Sequence, residues 1–396
     1  MALAAVRCKE APAGSVKLDV GFAVLAKHGE DLPGDSVEVV REGSSLIVAL
    51  SDGLGSGVKA NILSGLTAKL SVGMLKYKCD LDEVVDCLAR TLPVCEVRKI
   101  AYSTFSVLRA SESGDAYLAE YDNPPAFFGK GRELLPLERS RRTVSGRTIS
   151  EARFNLEPDS WVVMVTDGVI HAGLGNVWNL GWSWERVGQY LSRTVPAFVT
   201  AQEAADDLAE VTRRLYQGKP GDDAAIVVIK SRRPRFLTMM VGLPKKREND
   251  AQVVRYLMES PGKKVVCGGS TSQVVARELG RELTVNLASM KKGVPPTGFI
   301  EGIDLVTEGT LTLERTLSYL RQGLPRSEFV YQADGASRLT SLLLESDDIL
   351  ILLGSAINPA HQSPDLPVTL QLKPKMIEEI SRILEALGKK VTIVRV

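Results

Sequence analysis

Short apolar runs occur in neighbouring pairs over the first 230 residues, and helical patterns separate the pairs. Within the runs, apolar residues alternate with polar ones or follow one another directly, which is typical of half-buried and fully buried strands. The helical segments instead repeat small and apolar residues at i, i+3 and i+4, which predicts packing against a sheet. Paired strands and separately grouped helices predict an α+β domain with mainly antiparallel sheets. The predicted strands are residues 37–40 with 45–50 and 101–108 with 116–120, and the predicted helices are residues 58–74 and 81–92.

The pattern changes after a basic, proline-containing stretch at residues 230–237, "KSRRPRFL". Beyond it, single apolar runs alternate with turns and helical patterns, as in "KKVVCGGSTSQVVARELG". Because parallel strands need a crossover connection, usually a helix, this alternation predicts a smaller α/β domain with a largely parallel sheet. We therefore expect a first domain of residues 1–230 and a second domain of residues 231–396.

The first pair of strands predicts that two carboxylates face each other. Gly43 supplies the turn, and antiparallel pairing about residues 43 and 44 sets residue 40 opposite residue 47. The same register sets Asp35 opposite Asp52. Two like charges at one end of a hairpin cost free energy unless protons or cations compensate them, and a metal ion would remove that cost.

Further acidic residues stand at strand ends. Asp167 follows the apolar run of residues 161–165, and Asp222 and Asp223 precede the run of residues 224–229. If these two strands are antiparallel neighbours, the end of one and the beginning of the other lie at the same edge of the sheet. The acidic residues expected in one place are Asp35, Asp52, Asp167 and Asp222.

A site rich in carboxylate oxygens, without histidine or thiolate ligands, suits hard cations such as Mg²⁺ or Mn²⁺. Two such ions about 4 Å apart can orient a shared water for in-line attack on a phosphoryl group. Taken singly, an Asp-Gly pair after a strand is usually a turn. Its recurrence at the same end of several strands favours a metal site.

Composition narrows the function classes. The chain has 396 residues, of which 44% are hydrophobic, and a net charge of +1, so bulk charge favours neither nucleic acid nor an acidic membrane as a partner. No apolar run reaches the roughly 18 residues of a membrane span, and the N-terminal one is too short for a signal peptide, so we expect a cytoplasmic protein. Five cysteines without CxxC spacing argue against a disulfide framework and a cysteine zinc site.

Four segments carry a resemblance to a known family. In order, they are "GDS" (residues 34–36), "SDGLGSGVKA" (51–60), "VTDGVIHAG" (165–173) and "PGDDAAIVVI" (220–229). Their order and spacing over about residues 17–230 resemble the metal-dependent, type 2C protein serine/threonine phosphatases. The similarity is greatest to the bacterial branch typified by the stage II sporulation protein E phosphatase and the stress-response phosphatases of sigma-factor partner switching.

The resemblance implies a β-sandwich flanked by helices, with a centre for two Mn²⁺ or Mg²⁺ ions at one end. Asp35 and Asp52 would be metal ligands, with Asp52 bridging the ions and Gly53 offering its carbonyl oxygen. Asp167 and Asp222 would complete the shell of the first ion. The nucleophile would be metal-bound water, so no phosphoenzyme is expected.

The chain departs from the branch at two places. His171 replaces a frequent glutamate and is compatible with a proton donor, a metal ligand or a histidine at the surface of a cleft. Ala224 and Ala225 replace a frequent hydroxyl residue after the paired acids. Asp223 lies on the opposite side of an extended chain from Asp222, where it is either a bystander or a ligand of a third, weaker metal.

In the second domain, Gly268, Gly269, Ser270 and Thr271 lie between a predicted strand and helix. Backbone amides at a helix N-terminus bind phosphate or carboxylate, although a glycine-serine N-cap turn explains the same pattern. Two more strand ends, at residues 308–310 and 354–355, would share the carboxyl edge of a parallel sheet. We therefore expect a small anionic ligand or nucleotide there, and a regulatory or ligand-binding role for residues 231–396.

The sequence thus favours a metal-dependent serine/threonine phosphatase. Its expected substrate is a phosphorylated regulatory protein similar to an anti-sigma-factor antagonist, and its expected regulator is the C-terminal domain. The alternative is a non-catalytic scaffold with the phosphatase fold and a small-ligand site in the second domain. Retention of all four acidic residues favours catalysis.

Overall fold

The computed structural model describes residues 14–77, 79–91, 103–175, 178–289, 295–325, 328–329, 331–355 and 372–396. They divide into two compact units, the first ending at Arg233 and the second beginning at Pro234. Residues 231 and 232, which the sequence analysis assigned to the second domain, are the last two residues of a strand in the first unit. No helix in the described ranges is both long and apolar enough to cross a membrane.

The first unit contains two antiparallel sheets. One sheet has the strand order β1-β11-β10-β6-β7, and the other has the order β2-β3-β4-β5-β9-β8. In chain order, the strands are β1 (Lys17–Leu25), β2 (Ser36–Glu42), β3 (Ser45–Ser51), β4 (Phe105–Ser111), β5 (Asp115–Tyr121), β6 (Phe127–Lys130), β7 (Glu133–Leu135), β8 (Ser140–Val144), β9 (Arg147–Asn155), β10 (Ser160–Val165) and β11 (Ala224–Arg232).

Helices cover the outer face of each sheet. Helices α1 and α2 share a hydrophobic cluster with the six-stranded sheet, whereas α4 and α5 share one with the five-stranded sheet. A third cluster lies between the two sheets. The helices of this unit are α1 (Gly57–Lys76), α2 (Leu81–Thr91), α3 (Asp167–Ile170), α4 (Trp184–Thr194) and α5 (Ala201–Leu215).

Strand β3 shows why its sequence is an unbroken apolar run. Val48 and Leu50 point into the cluster between the sheets, whereas Ile47 and Ala49 point toward α1 and α2. Successive side chains of a strand point to opposite faces, so a strand covered on both faces is apolar at every position. Strand β10 follows the same rule, since Val162 belongs to the inner cluster and neighbouring residues to the outer one. The predicted sandwich flanked by helices is confirmed.

The predicted register of the first hairpin is also confirmed. Val40 pairs with Ile47, and Ser36 pairs with Ser51 at the end of the ladder. The next residues outward on the two strands are Asp35 and Asp52. Of the other predicted elements, β4 begins at Phe105, and residues 92, 101 and 102 lie outside the described ranges.

The second unit has one mixed sheet with the order β14-β15-β16-β13-β12-β17-β18. Strands β16, β13, β12, β17 and β18 are parallel neighbours, and β14 and β15 pair antiparallel at one edge. The largely parallel sheet is therefore confirmed. Its elements are β12 (Phe236–Val241), α6 (Asp250–Glu259), β13 (Lys263–Cys267), α7 (Gly269–Leu279), β14 (Thr284–Asn286), β15 (Thr297–Phe299), β16 (Leu305–Thr307), α8 (Thr310–Arg321), α9 (Gly335–Glu345), β17 (Asp348–Leu353), α10 (Leu372–Ala386) and β18 (Lys390–Arg395).

The five parallel strands lie in the order third, second, first, fourth, fifth along the chain. This is the order of doubly wound nucleotide-binding sheets, whose ligands bind outside the carboxyl ends of the strands. The order describes an arrangement of strands and does not by itself assign a ligand.

A first prediction concerns the start of α5. The Thr200 hydroxyl accepts a hydrogen bond from the Glu203 amide at 3.1 Å, and the Glu203 carboxylate accepts one from the Thr200 amide at 3.1 Å. Thr200→Ala removes the hydroxyl that caps the Glu203 amide. We therefore expect it to lower the free energy of unfolding, measured by urea denaturation, by about 1 kcal/mol. Thr200→Ser keeps the hydroxyl and should stay near wild type, so an equal loss in both variants would contradict this role.

Candidate metal centre

Asp35 lies at the open end of the first hairpin and is almost completely buried, with 2% of its surface exposed. The hydroxyl of Thr166 donates a hydrogen bond to its carboxylate at 2.7 Å. Burial raises the pKa of Asp35 well above its usual range, and the negative charge of Asp52 raises it further. Metal-free Asp35 is thus a carboxylate that is poorly solvated and close to another acid.

Asp52 follows β3, and its backbone is held by the chain that leads into β4. Its carbonyl oxygen accepts hydrogen bonds from the Thr104 amide and the Ser103 hydroxyl, each at 3.0 Å. Burial raises the pKa of Asp52 to about 7, and the charges of Asp167 and Asp222 contribute to the increase. The backbone of Asp52 is therefore held in a place where burial and neighbouring acids disfavour the ionised form of its side chain.

Two glycines allow the close approaches around these acids. A Cβ atom at Gly53 would lie 2.3 Å from the carbonyl oxygen of Ala60 in α1, and one at Gly168 would lie 1.9 Å from the carbonyl oxygen of Asp223. Both distances are far inside van der Waals contact, so neither position accommodates a side chain without movement of the backbone. Gly53, the expected carbonyl donor, is thus packed directly against the start of α1.

Strands β10 and β11 are antiparallel neighbours, as expected, and bring Asp167 and Asp222 to the same edge. Burial raises the pKa of Asp222, and the charge of Asp167 raises it further. A hydrogen bond from the Asp223 amide lowers the pKa of Asp222, and the charge of Lys27 lowers it further. The imidazole Nδ1 of His171 lies 3.8 Å from the Asp167 carboxylate, too far for a hydrogen bond, and its side chain is 51% exposed.

Asp223, which the sequence left as a bystander or a ligand of a third metal, is deeply buried. It is 4% exposed, and one carboxylate oxygen accepts a hydrogen bond from the Lys27 amide at 2.9 Å. The other oxygen is buried and has no hydrogen-bond partner among the described residues. A buried carboxylate oxygen normally has a donor or a cation beside it, so this oxygen is an unsatisfied acceptor that a bound cation or water would complete.

Two residues near the acids were not identified from the sequence. Thr166 accepts a hydrogen bond from the Ala225 amide at 2.8 Å while it donates to Asp35, so it joins β10, β11 and the hairpin. The sequence feature that could have identified Thr166 is its position at the end of an apolar strand, directly before Asp167. Tyr216 donates to the Gly168 carbonyl oxygen at 2.8 Å, and it is too far from that residue along the chain for local spacing to indicate the contact.

The residues present fit hard divalent cations. The five aspartates near this edge offer only oxygen atoms, and one buried oxygen of Asp223 has no hydrogen-bond partner in the described ranges. In the part of the chain that the structure describes, no three acidic, histidine or cysteine side chains are close enough to form a complete ligand set. Mg²⁺ typically keeps several waters and uses one or two carboxylates, so such ions do not require a closed protein cage.

In the second unit, Gly268 caps α7, and Gly269, Ser270 and Thr271 form its first turn. The Gly268 amide donates to the Thr307 carbonyl oxygen at 2.9 Å, which joins this loop to the end of β16. The ammonium group of Lys373 lies 3.1 Å from the position that a Cβ of Gly309 would occupy. Residues 354–355 follow β17 and lie at the same carboxyl edge. In the sheet, β12 stands between β17 and β13, the strand that precedes Gly268.

Comparison with known proteins shows what the first unit is similar to. Residues 42–232 match the family described as "Stage II sporulation protein E". Stage II sporulation protein E of Bacillus subtilis (strain 168) is 26% identical over 225 residues, which cover 54% of this chain and 26% of that protein. The chain therefore spans about a quarter of the length of this curated relative. The resemblance of the first unit to this family is confirmed over the matched residues.

Solved structures are similar over the same half of the chain. The PP2C phosphatase domain of SpoIIE from Bacillus subtilis, with a fragment of its regulatory domain, has a TM-score of 0.47 and 22% identity, covering 55% of this chain and 63% of that one. RsbX in complex with magnesium has a TM-score of 0.40 and 19% identity, covering 55% of this chain and 98% of that one.

A second prediction tests Thr166. We expect Thr166→Val to lower the free energy of unfolding by about 1–3 kcal/mol, because it leaves the Ala225 amide and a buried Asp35 oxygen without their partner. Thr166→Ser keeps the hydroxyl and should retain most of the stability. Urea denaturation of the two variants measures the difference. An unchanged Thr166→Val protein would show that the hydroxyl does not support Asp35.

A third prediction concerns pH. The raised pKa values mean that Asp35 and Asp52 bind protons more tightly in the folded than in the unfolded chain, so they stabilise the metal-free fold at acidic pH. That contribution is lost as the pH rises through about 7, the pKa of Asp52. In EDTA, we expect the melting temperature of Asp52→Asn to exceed that of wild type, by an amount that grows from about pH 5 to about pH 8.

Thermal denaturation across the pH range measures this difference, and Asp206→Asn, an exposed change on α5, is the control. A melting difference between Asp52→Asn and wild type that does not change with pH would contradict the electrostatic origin of the effect.

Proposed function

We propose that the first unit, which resembles stage II sporulation protein E over residues 42–232, is a metal-dependent serine/threonine phosphoprotein phosphatase. The observation that carries the proposal is the gathering of Asp35, Asp52, Asp167 and Asp222 at one end of the strands, beside a buried Asp223 oxygen without a partner. Divalent cations would relieve the repulsion among these acids and satisfy that oxygen.

Asp35, Asp52, Asp167 and Asp222, with the carbonyl oxygen of Gly53, are the proposed ligands of two Mn²⁺ or Mg²⁺ ions. When bound, such ions neutralise phosphoryl charge and activate a water for in-line attack. The protein keeps the ligands in place. Thr166 fixes the Asp35 carboxylate, and the bonds from Ser103 and Thr104 fix the backbone of Asp52. These contacts limit the reorganisation required when the ions bind.

The exposure of the site suits a substrate that is itself a protein. The side chains of Asp167 and His171 are 46% and 51% exposed, so this side of the acid centre is reached from solvent. A phosphoserine or phosphothreonine on a partner's surface can approach such a site without entering a deep pocket. We propose that the substrate is a phosphorylated regulatory protein of the anti-sigma-factor antagonist type. We propose that His171, which is 51% exposed beside Asp167, contacts the substrate or its leaving hydroxyl.

For the second unit, we propose a small anionic ligand at the carboxyl edge, where the first turns of α7 and α8 lie beside Lys373. Neither first turn contains an acidic residue, and neither cap makes a side-chain hydrogen bond. An anion there would meet the amide groups of two helix N-termini and a lysine charge. Occupancy of this edge is the proposed regulatory input to the phosphatase.

A fourth prediction tests catalysis with an aryl phosphate and a phosphoserine peptide. With Mn²⁺ or Mg²⁺ we expect turnover by wild type that EDTA abolishes, and a loss of at least about 100-fold in Asp52→Asn, which keeps the shape but removes the central charge. The matched control is Asp206→Asn, which should behave as wild type. Turnover that persists in EDTA would contradict the proposed metal dependence.

A scaffold without catalytic activity predicts a different result. Metal-loaded wild type would then bind Mn²⁺, detected as a rise in melting temperature that Asp52→Asn lacks, but would hydrolyse neither substrate. That combination would overturn the catalytic proposal while leaving the metal centre in place.

A further inference from the structure

Tyr216 follows the last residue of helix α5, and its side chain reaches the acid centre. The helix packs on the outer face of the five-stranded sheet through apolar residues such as Leu208 and Leu215. Tyr216 is half-buried, but among the described residues it does not belong to that apolar cluster. Its hydroxyl instead donates a hydrogen bond to the carbonyl oxygen of Gly168 at 2.8 Å, across 48 residues of chain. The polar contact of this side chain is therefore made with the acid centre.

The bond from Tyr216 supplies a donor that the short helix α3 lacks. Gly168 follows Asp167 directly, at the start of this four-residue helix. The amides of His171 and Ala172, which follow the helix, both donate to other carbonyl oxygens. In the described part of the chain, these bonds leave the Gly168 carbonyl oxygen to the hydroxyl of Tyr216. The backbone beside Asp167 is thus fixed from the end of α5.

The ring of Tyr216 also touches the segment that precedes Asp222. A Cβ atom at Gly221 would lie 3.3 Å from Cε1 of this ring, so the ring packs against the backbone there. The ladder between β10 and β11 ends before it reaches the acids, at Val165. Beyond the ladder, Tyr216 contacts the residue after Asp167 and the residue before Asp222. It therefore links two segments that carry proposed metal ligands.

The backbone that carries this ring is itself held in place. The Gln217 amide donates to the carbonyl oxygen of Arg214, and the Gly218 amide donates to that of Arg213, each at 2.9 Å. Gln217 has a φ of +55°, in the left-handed region that favours glycine. Other residues stay in this region only where surrounding contacts hold them, and such residues cluster at functional sites. The ring of Tyr216 therefore has a firm support.

We propose that Tyr216 is a positioning residue for the divalent cation held by Asp167 and Asp222. Its hydroxyl fixes the backbone beside Asp167, and its ring supports the backbone beside Asp222. A tyrosine hydroxyl is protonated at neutral pH and remains a donor, so this role needs no proton transfer. Removing a group that orients metal ligands typically lowers metal affinity by about 10- to 100-fold. Tyr216 has this role only if the metal centre proposed above exists.

The test measures Mn²⁺ binding by the full chain in the absence of substrate. Free Mn²⁺ is quantified by its electron paramagnetic resonance signal, for wild type and for Tyr216→Phe, which removes the hydroxyl and keeps the ring. Tyr190→Phe is the matched control, because Tyr190 is also half-buried and its hydroxyl donates to Asp207 on α5. Urea denaturation in EDTA measures the stability of each metal-free variant.

We expect Tyr216→Phe to weaken one of the two Mn²⁺ sites at least about tenfold, because the backbone beside Asp167 is then held less firmly. The other site should stay within about twofold of wild type, and Tyr190→Phe should change neither site. When Tyr216→Phe is added to Asp167→Asn, it should weaken binding by less than about threefold, because both changes act on the same ligand. Lower overall stability does not produce this pattern, since it leaves the affinity of the folded protein unchanged.

Two results would overturn this role and leave the metal centre in place. Equal Mn²⁺ affinities of wild type and Tyr216→Phe would show that the hydroxyl does not align a ligand, even if the variant is less stable in EDTA. An undiminished loss when Tyr216→Phe is added to Asp167→Asn would show that the hydroxyl acts through another residue. Wild type that binds no Mn²⁺ would instead overturn the metal centre and the role of Tyr216 together.

Discussion

The repulsion between Asp35 and Asp52 is the constraint around which the first unit is arranged. The register of the β2–β3 hairpin places them side by side, and the two sheets remove them from water, so that burial and mutual charge both disfavour their ionised forms. A fold selected for stability alone would avoid this arrangement. The hydrogen bond from Thr166 offsets part of the cost, and protons or cations must offset the rest.

The layered architecture explains why the acids occur at strand ends. Strands β3 and β10 are buried on both faces, so a carboxylate within either of them would lie in an apolar cluster without water or a partner. Just beyond the ends of these strands, burial is less complete at Asp52 and Asp167. Asp52 and Asp167 lie at this boundary, where the backbone is still held by the sheets and the side chains are partly hydrated.

The same centre accounts for the small residues in the first turns of α1. The Ala60 carbonyl oxygen lies so close to Gly53 that the helix must approach the hairpin with small side chains. Its inner face accordingly carries residues such as Ala60, Ser64 and Ala68, all fully or almost fully buried. Val58 and Ile62, in the same turns, are exposed, whereas Val72 and Leu75 near the end of the helix are buried.

The sequence by itself determined the features that depend on short-range pattern. These are the hairpin register that pairs Asp35 with Asp52, the unbroken apolar runs of doubly covered strands, and the parallel sheet of the second unit. Strand periodicity and turn residues are local, so they can be read without knowing what covers them. The order of the four acidic segments carried the resemblance for the same reason.

Only the tertiary structure decided which groups meet from distant parts of the chain. The bond from Thr166 to Asp35 spans 131 residues, and the deep burial of Asp223 depends on the amide of Lys27, 196 residues away. Periodicity predicted that α1 packs on a sheet, but spacing shows which residues share a face and not which face is covered. Burial is decided by contacts between elements, and these exist only when the chain is folded.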